Sequence, residues 1–124
     1  HLNSFEKEFS TVINTAGKLN FTEELALISN LDIMISMDSG NGHLAAMYGI
    51  PVISLWGVTH PFAGFSPFGQ PKENSLLADI NKYPLLPTSI YGNTYPQEYE
   101  NVMESITPEE VVNTVNAVLK KGVD

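Results

Sequence analysis

The sequence predicts an α/β domain built on a parallel sheet with flanking helices, and three observations carry that prediction. Two apolar runs, residues 33–37 (IMISM) and 52–56 (VISLW), lack the alternation of half-exposed strands and read as strands covered on both faces. Between them lies the polar glycine turn Asp38-Ser39-Gly40-Asn41-Gly42-His43, followed by a short helical stretch over residues 44–48 that Gly49 stops. Strand, turn, helix, turn and strand make one compact βαβ unit. Well-marked helix starts stand before and after it.

The elements follow in order. Residues 1–10 pair Phe5 with Phe9 at i,i+4 among Glu6, Lys7 and Glu8, which reads as the tail of a helix. Residues 11–14 (TVIN) are β-branched and apolar and read as a short strand, with residues 15–19 as the loop after it. Asn20 can cap a helix and Glu23 can bond back to it, while Phe21, Leu25 and Ile28 form one stripe that ends at Ser29-Asn30. The βαβ unit comes next.

Residues 57–96 differ in character. Six of the eight prolines lie there (Pro61, Pro67, Pro71, Pro84, Pro87 and Pro96), interleaved with Phe62, Phe65, Phe68, Tyr83, Tyr91 and Tyr95. This reads as long ordered loops broken by a short strand over residues 75–78. Trp56 and Phe62 read as packing residues rather than as stacking platforms. The last helix starts at Thr107-Pro108-Glu109-Glu110, with Thr107 as cap, Pro108 in first position and Glu110 completing a capping box. Val111, Val112, Val115, Val118 and Leu119 supply its buried stripe, and Lys120, Lys121 and Gly122 close it. The Glu109-Glu110 pair is helix-start chemistry, not an acid/base pair.

The bulk properties narrow the function. A chain of 124 residues with 43% hydrophobic content suits a single domain with a real core. A formal net charge of −8, with only six Lys and Arg, argues against nucleic acid or an anionic membrane surface as partner. No apolar run is long enough to span a bilayer. Cysteine is absent, so disulfide and thiolate chemistry are excluded. The chain opens on His1 rather than Met, which points to a piece of a longer protein.

The central turn has the makings of a phosphate site. Amides at a helix start lack helical partners, Gly40 and Gly42 carry no Cβ to bar a ligand, and the helix dipole adds partial positive charge. Ser39 offers a hydroxyl, and His43 can donate to phosphate or sugar oxygens. Asp38 would repel phosphate, so it has two uses: it caps the helix, or it points past the phosphate to accept hydrogen bonds from sugar hydroxyls. His43 can equally be a satisfied structural histidine, Gly42 can simply start the helix, and the Lys18 side chain reads as solvated.

The motifs taken together resemble glycosyltransferase family 9, the heptosyltransferases of lipopolysaccharide synthesis. The resemblance runs through Gly17-Lys18, Glu23-Glu24-Leu25-Ala26-Leu27-Ile28, Asp38-Ser39-Gly40-Asn41-Gly42-His43-Leu44-Ala45-Ala46, the G-x-P-V strand at Gly49-Ile50-Pro51-Val52, the G-x-T loop at Gly57-Val58-Thr59, and the late P-E-x-V helix. It covers roughly residues 11–119, and the ordered set is far more specific than any one part.

The family's architecture is two Rossmann-like domains with the active site between them. The resemblance implies that residues 1–124 are one partial domain, the C-terminal nucleotide-sugar-binding portion. It implies that Asp38 holds donor-sugar hydroxyls, and that Ser39, Gly40, Asn41 and Gly42, helped by His43, hold the diphosphate. Gly17, Lys18 and Leu19 would meet the nucleotide base through the main chain. The implied donor is a nucleotide-sugar, ADP-heptose by family, and the implied acceptor is lipopolysaccharide core or a related glycan, reached through the N-terminal domain. Transfer in the family is inverting, with the general base on that N-terminal domain. No cofactor and no metal held by a D-x-D motif are implied, and no D-x-D occurs here. The implied location is cytoplasmic, with the whole protein able to sit peripherally at the inner membrane. The Tyr83 to Tyr99 region receives no role by analogy.

Other readings remain. A non-catalytic nucleotide-binding or regulatory module could keep the same turn. Apolar-apolar-Asp-Ser-Gly also resembles the signature of retropepsin-like aspartic proteases, although those subunits are almost wholly β. A dinucleotide dehydrogenase fits poorly, since no G-x-G-x-x-G follows a strand.

Overall fold

A computed structural model of the chain describes residues 1–63, 65–89 and 93–122, with the side chain of residue 63 left aside. Tyr91, one of the aromatics singled out above, lies outside the described residues. The chain divides into two compact units, His1–Asn30 and Leu31–Asp124.

In the first unit, helix α1 spans Leu2–Glu8 and helix α2 spans Phe21–Ser29. α2 starts as its sequence dictates. The Asn20 side chain accepts from the Glu23 amide at 2.9 Å, and the Glu23 carboxylate accepts from the Asn20 amide at 2.9 Å, closing a capping box. Ile28 is buried and Leu25 half-buried, whereas Phe21 stays exposed.

The strand expected over residues 11–14 does not form. Local polar bonds claim this segment instead: the Asn14 amide donates to Glu6 Oε1 at 3.1 Å, and the Asn14 side chain bonds Asn3 Oδ1 and the Ala16 amide. A β-branched run becomes a strand only where a neighbour offers a ladder, and none pairs with it among the described residues.

The second unit carries the parallel sheet. Strands β1 (Met34–Met37), β2 (Val52–Trp56) and β3 (Ser75–Leu77) lie in the order β1-β2-β3, both pairs parallel. Helix α3, Gly40–Met47, connects β1 to β2, and helix α4, Pro108–Lys121, closes the chain. Gly49, at φ +74°, makes the left-handed turn after α3, with the Ile50 amide bonded to the Ala45 carbonyl at 3.0 Å. The Gln70 side chain then secures the entry to β2, accepting from the Val52 amide at 2.8 Å.

Register and alternation set the layers. Ser36 pairs with Ser54 and faces α3, while Ile35 pairs with Ile53 and faces the other side. On that other side Val111, Val115 and Val118 of α4 pack against Ile53, Leu76 and Ile106. Val112 and Leu119, expected in the same stripe, are exposed. The face set by positions 111, 115 and 118 points at the sheet, and the two remaining apolar residues fall to its flanks.

β2 is buried along nearly all its length, as expected. β1 is not: Ile35 and Met37 are 47% and 56% exposed. The valine stripe of α4 packs on Ile53 of β2 and Leu76 of β3, and β1 is an edge strand of the described sheet.

A second cluster, Ala78, Tyr83, Tyr99 and Val102, anchors the proline-rich region. Tyr83 and Tyr99 meet edge to face at 5.0 Å, and the Tyr99 hydroxyl accepts from the Leu85 amide at 2.9 Å. Trp56 is a packing residue at 1% exposure. Phe62 is not, because it rides on an exposed 3-10 turn, with its ring 4.4 Å from the His60 imidazole.

A parallel sheet in which α3 begins two residues after Asp38 is incompatible with the all-β protease reading. Among the described residues no helix is long and apolar enough to cross a membrane.

Candidate functional site

β1 ends at Met37, and Asp38 and Ser39 carry the chain from its carboxyl end into α3. Ligands of open α/β sheets bind at this edge. The helix starts at Gly40, earlier than its sequence implied, and its N-cap is Ser39 in extended backbone. Asp38 is therefore not the cap, and the capping reading of that residue is set aside.

Ser39 does not cap through its side chain either. Its hydroxyl lies 2.9 Å from Ser36 Oγ, and Ser36 Oγ donates to the Met37 carbonyl at 2.7 Å. This small hydroxyl network turns Ser39 back toward the strand. The amides of Gly40, Asn41 and Gly42, which have no intrahelical acceptor, are thus left without a side-chain cap. Partial positive charge from the helix gathers at the same place.

The surrounding residues differ in access. Asp38, Ser39, Gly40 and Asn41 are exposed, His43 is half-buried, and Gly42 is buried. A Cβ at Gly40 would meet nothing within 4 Å, so the backbone there is open to approach. Gly42 lacks a side chain for another reason: a Cβ there would come within 3.0 Å of Ser36 Oγ. Neither the Asp38 carboxylate nor the His43 ring has a hydrogen-bond or ion-pair partner among the described residues.

Beside Asp38 opens a cleft of about 310 Å³. Met37 and Leu55, paired across β1 and β2, line it. Gly57, Val58 and Thr59, just past the end of β2, also line it, as do Tyr95, Tyr99 and Glu100. Thr59, Tyr95 and Glu100 were not among the candidate residues. The Gly57-Val58-Thr59 run was visible only as a motif, and no periodicity marks which residue of a proline-rich loop will face a strand end.

Gly17, Lys18 and Leu19 sit in the first unit, whereas the cleft is lined wholly by the second. Gly17 takes a left-handed turn at φ +70°, and Lys18 donates its amide to the Thr15 carbonyl at 3.0 Å. The Lys18 ammonium lies 3.5 Å from Glu6 Oε1, an exposed pair. Among the described residues no group of three or more His, Asp or Glu side chains could hold a metal ion.

Comparison with known proteins points to a family. The family model described as Glycosyltransferase family 9 (heptosyltransferase) matches residues 2–93. The chain is 45% identical over 51 residues to the lipopolysaccharide core heptosyltransferase OpsX of Haemophilus influenzae, covering 41% of this chain and 15% of that protein. It is 43% identical over 49 residues to lipooligosaccharide heptosyltransferase 2 of the same organism, covering 40% and 14%. It is 44% identical over 52 residues to lipopolysaccharide heptosyltransferase 3 of Escherichia coli K12, covering 42% and 15%. The matched stretch thus spans about one seventh of these relatives. No solved structure matches the chain significantly. A family match over most of the chain, joined to a parallel sheet that presents the Asp38-Ser39-Gly40 bend at its carboxyl edge, shows that this chain belongs to glycosyltransferase family 9, the heptosyltransferase family.

Proposed function

We propose that residues 1–124 are the C-terminal, donor-binding portion of an inverting glycosyltransferase with two Rossmann-like domains. The whole protein transfers heptose from ADP-heptose to lipopolysaccharide core or a related glycan. It works in the cytoplasm, at the inner-membrane surface where such an acceptor is presented. The portion is inactive alone, since the general base and the acceptor site belong to the N-terminal domain.

One observation carries this reading: the Asp38 carboxylate stands free at the carboxyl end of β1, beside a helix start that no side chain caps. The amides of Gly40, Asn41 and Gly42 suit a diphosphate, with Ser39 and His43 as further donors. A carboxylate that neither caps nor pairs suits the hydroxyls of the attached sugar, because charge-assisted hydrogen bonds are the strong ones. In this proposal Gly17, Lys18 and Leu19 meet the nucleotide base through their main chain.

The test uses the complete protein with ADP-heptose and a lipopolysaccharide core acceptor. Transfer is expected from wild type. Asp38→Ala should weaken ADP-heptose binding by about tenfold or more while leaving ADP binding nearly unchanged. Equal loss of both ligands would remove Asp38 from the sugar.

A further inference from the structure

Resting on the donor-site reading, we infer that the cleft walled by Thr59, Tyr95 and Glu100 is the seat of the transferred sugar. Thr59 and Glu100 then set its specificity together with Asp38, which lines the same cleft.

The argument begins with unused polar groups. Thr59 is only 8% exposed, it lines the cleft, and its hydroxyl has no hydrogen-bond partner among the described residues. That hydroxyl is not sealed from solvent, so water in the open cleft satisfies it and a sugar hydroxyl can take the water's place. Glu100 lines the same cleft, and its carboxylate likewise has no hydrogen-bond or ion-pair partner among the described residues. Asp38 makes a third such group. Three polar side chains without internal partners converge on one opening.

Charge then sorts the two ends of the donor. Two carboxylates repel a phosphate, so the cleft disfavours the diphosphate and leaves it to the uncapped start of α3. The same carboxylates accept well from hydroxyls, and Thr59 can donate or accept. Tyr95, half exposed on the wall, presents an aromatic ring with no hydrogen-bond partner among the described residues, suited to the C–H face of a sugar. At about 310 Å³ the cleft lies at the lower end of small-ligand pockets, the scale of one sugar rather than a whole nucleotide.

Tyr99 plays a different part. Its hydroxyl is committed to the Leu85 amide and its ring to Tyr83, so it fixes the wall that carries Glu100. Tyr95 and Glu100 lie beyond residue 93, where the family match ends.

The experiment measures ADP-heptose and ADP binding by calorimetry, on the complete protein and its Thr59→Val and Glu100→Gln variants. Thr59→Val should weaken ADP-heptose about fivefold and Glu100→Gln about tenfold, each with ADP affinity unchanged. Retained ADP binding also reports that each variant is folded. Unchanged ADP-heptose affinity in both variants, with wild type binding both ligands, overturns this assignment and leaves the donor-site reading standing. Equal loss of ADP and ADP-heptose overturns it as well, since the residues then act on the fold. Wild type binding neither ligand overturns the donor-site reading and this inference with it.

Discussion

Gly42 lies against Ser36 so closely that a Cβ built on the glycine would stand 3.0 Å from Ser36 Oγ and 3.2 Å from Ser36 Cβ. Ser36 cannot easily yield, because its hydroxyl is held by the Met37 carbonyl and by Ser39. The missing side chain therefore lets α3 start directly against the end of β1, which leaves Gly40 and Asn41 just beyond the strand's carboxyl end. Gly42→Ala is expected to destabilise the fold by about 1–3 kcal/mol, the usual cost of an inserted methyl in a tight contact. Urea denaturation checks it, and Ser36→Ala in the same chain should recover part of the loss.

Asp38 gives the opposite expectation for stability. It neither caps α3 nor pairs with any described group, so Asp38→Ala should change unfolding free energy by no more than about 0.5 kcal/mol. A true helix cap would cost about 1 kcal/mol on the same substitution. Denaturation of this variant thus separates the two roles its sequence position allows.

The start of α4 is only half of the expected box. The Thr107 hydroxyl accepts from the Glu110 amide at 3.2 Å, but the Glu110 side chain does not bond back. Thr107→Ala should cost about 1 kcal/mol, whereas Glu110→Gln should cost only a few tenths, for the lost charge at the helix start. Thermal melts of the two variants compare these directly.

Glu73 and Lys121 join the segment before β3 to the last turn of α4, at 3.2 Å. A backbone hydrogen bond at Glu73 first, and Lys121 after it, hold the Glu73 carboxyl below its ordinary value. An acid lowered in the folded state stabilises above its unfolded pKa, and that contribution fades as pH falls through the lowered folded value. Glu73→Gln should therefore melt slightly below wild type at neutral pH and together with it in strong acid. The pair is exposed, so salt should shrink the difference as well.

Much of the fold was legible because local physics decided it. The Asn20 and Thr107 caps, the Gly49 turn and the apolar run of β2 each act within a few residues, and each appears where its sequence places it. Residues 11–14 show the limit. Their β propensity was real, but Asn14 found Glu6 and Asn3 in place of a strand partner. The exposure of Val112 and Leu119 shows another, since an apolar residue near a stripe is buried only if a surface faces it.

The sequence alone determined the βαβ unit, the starts of α2 and α4 and the bend that carries Asp38, because periodicity, caps and glycine turns are written in neighbouring residues. Only the tertiary structure decided that Ser39 turns toward Ser36, that Gly42 serves packing, and that Thr59 and Glu100 share a cleft with Asp38. The first two are short in sequence but depend on how α3 seats against β1, and the last joins residues far apart in the chain, which meet only once strand register and the packed loop after β3 bring them to the same end of the sheet.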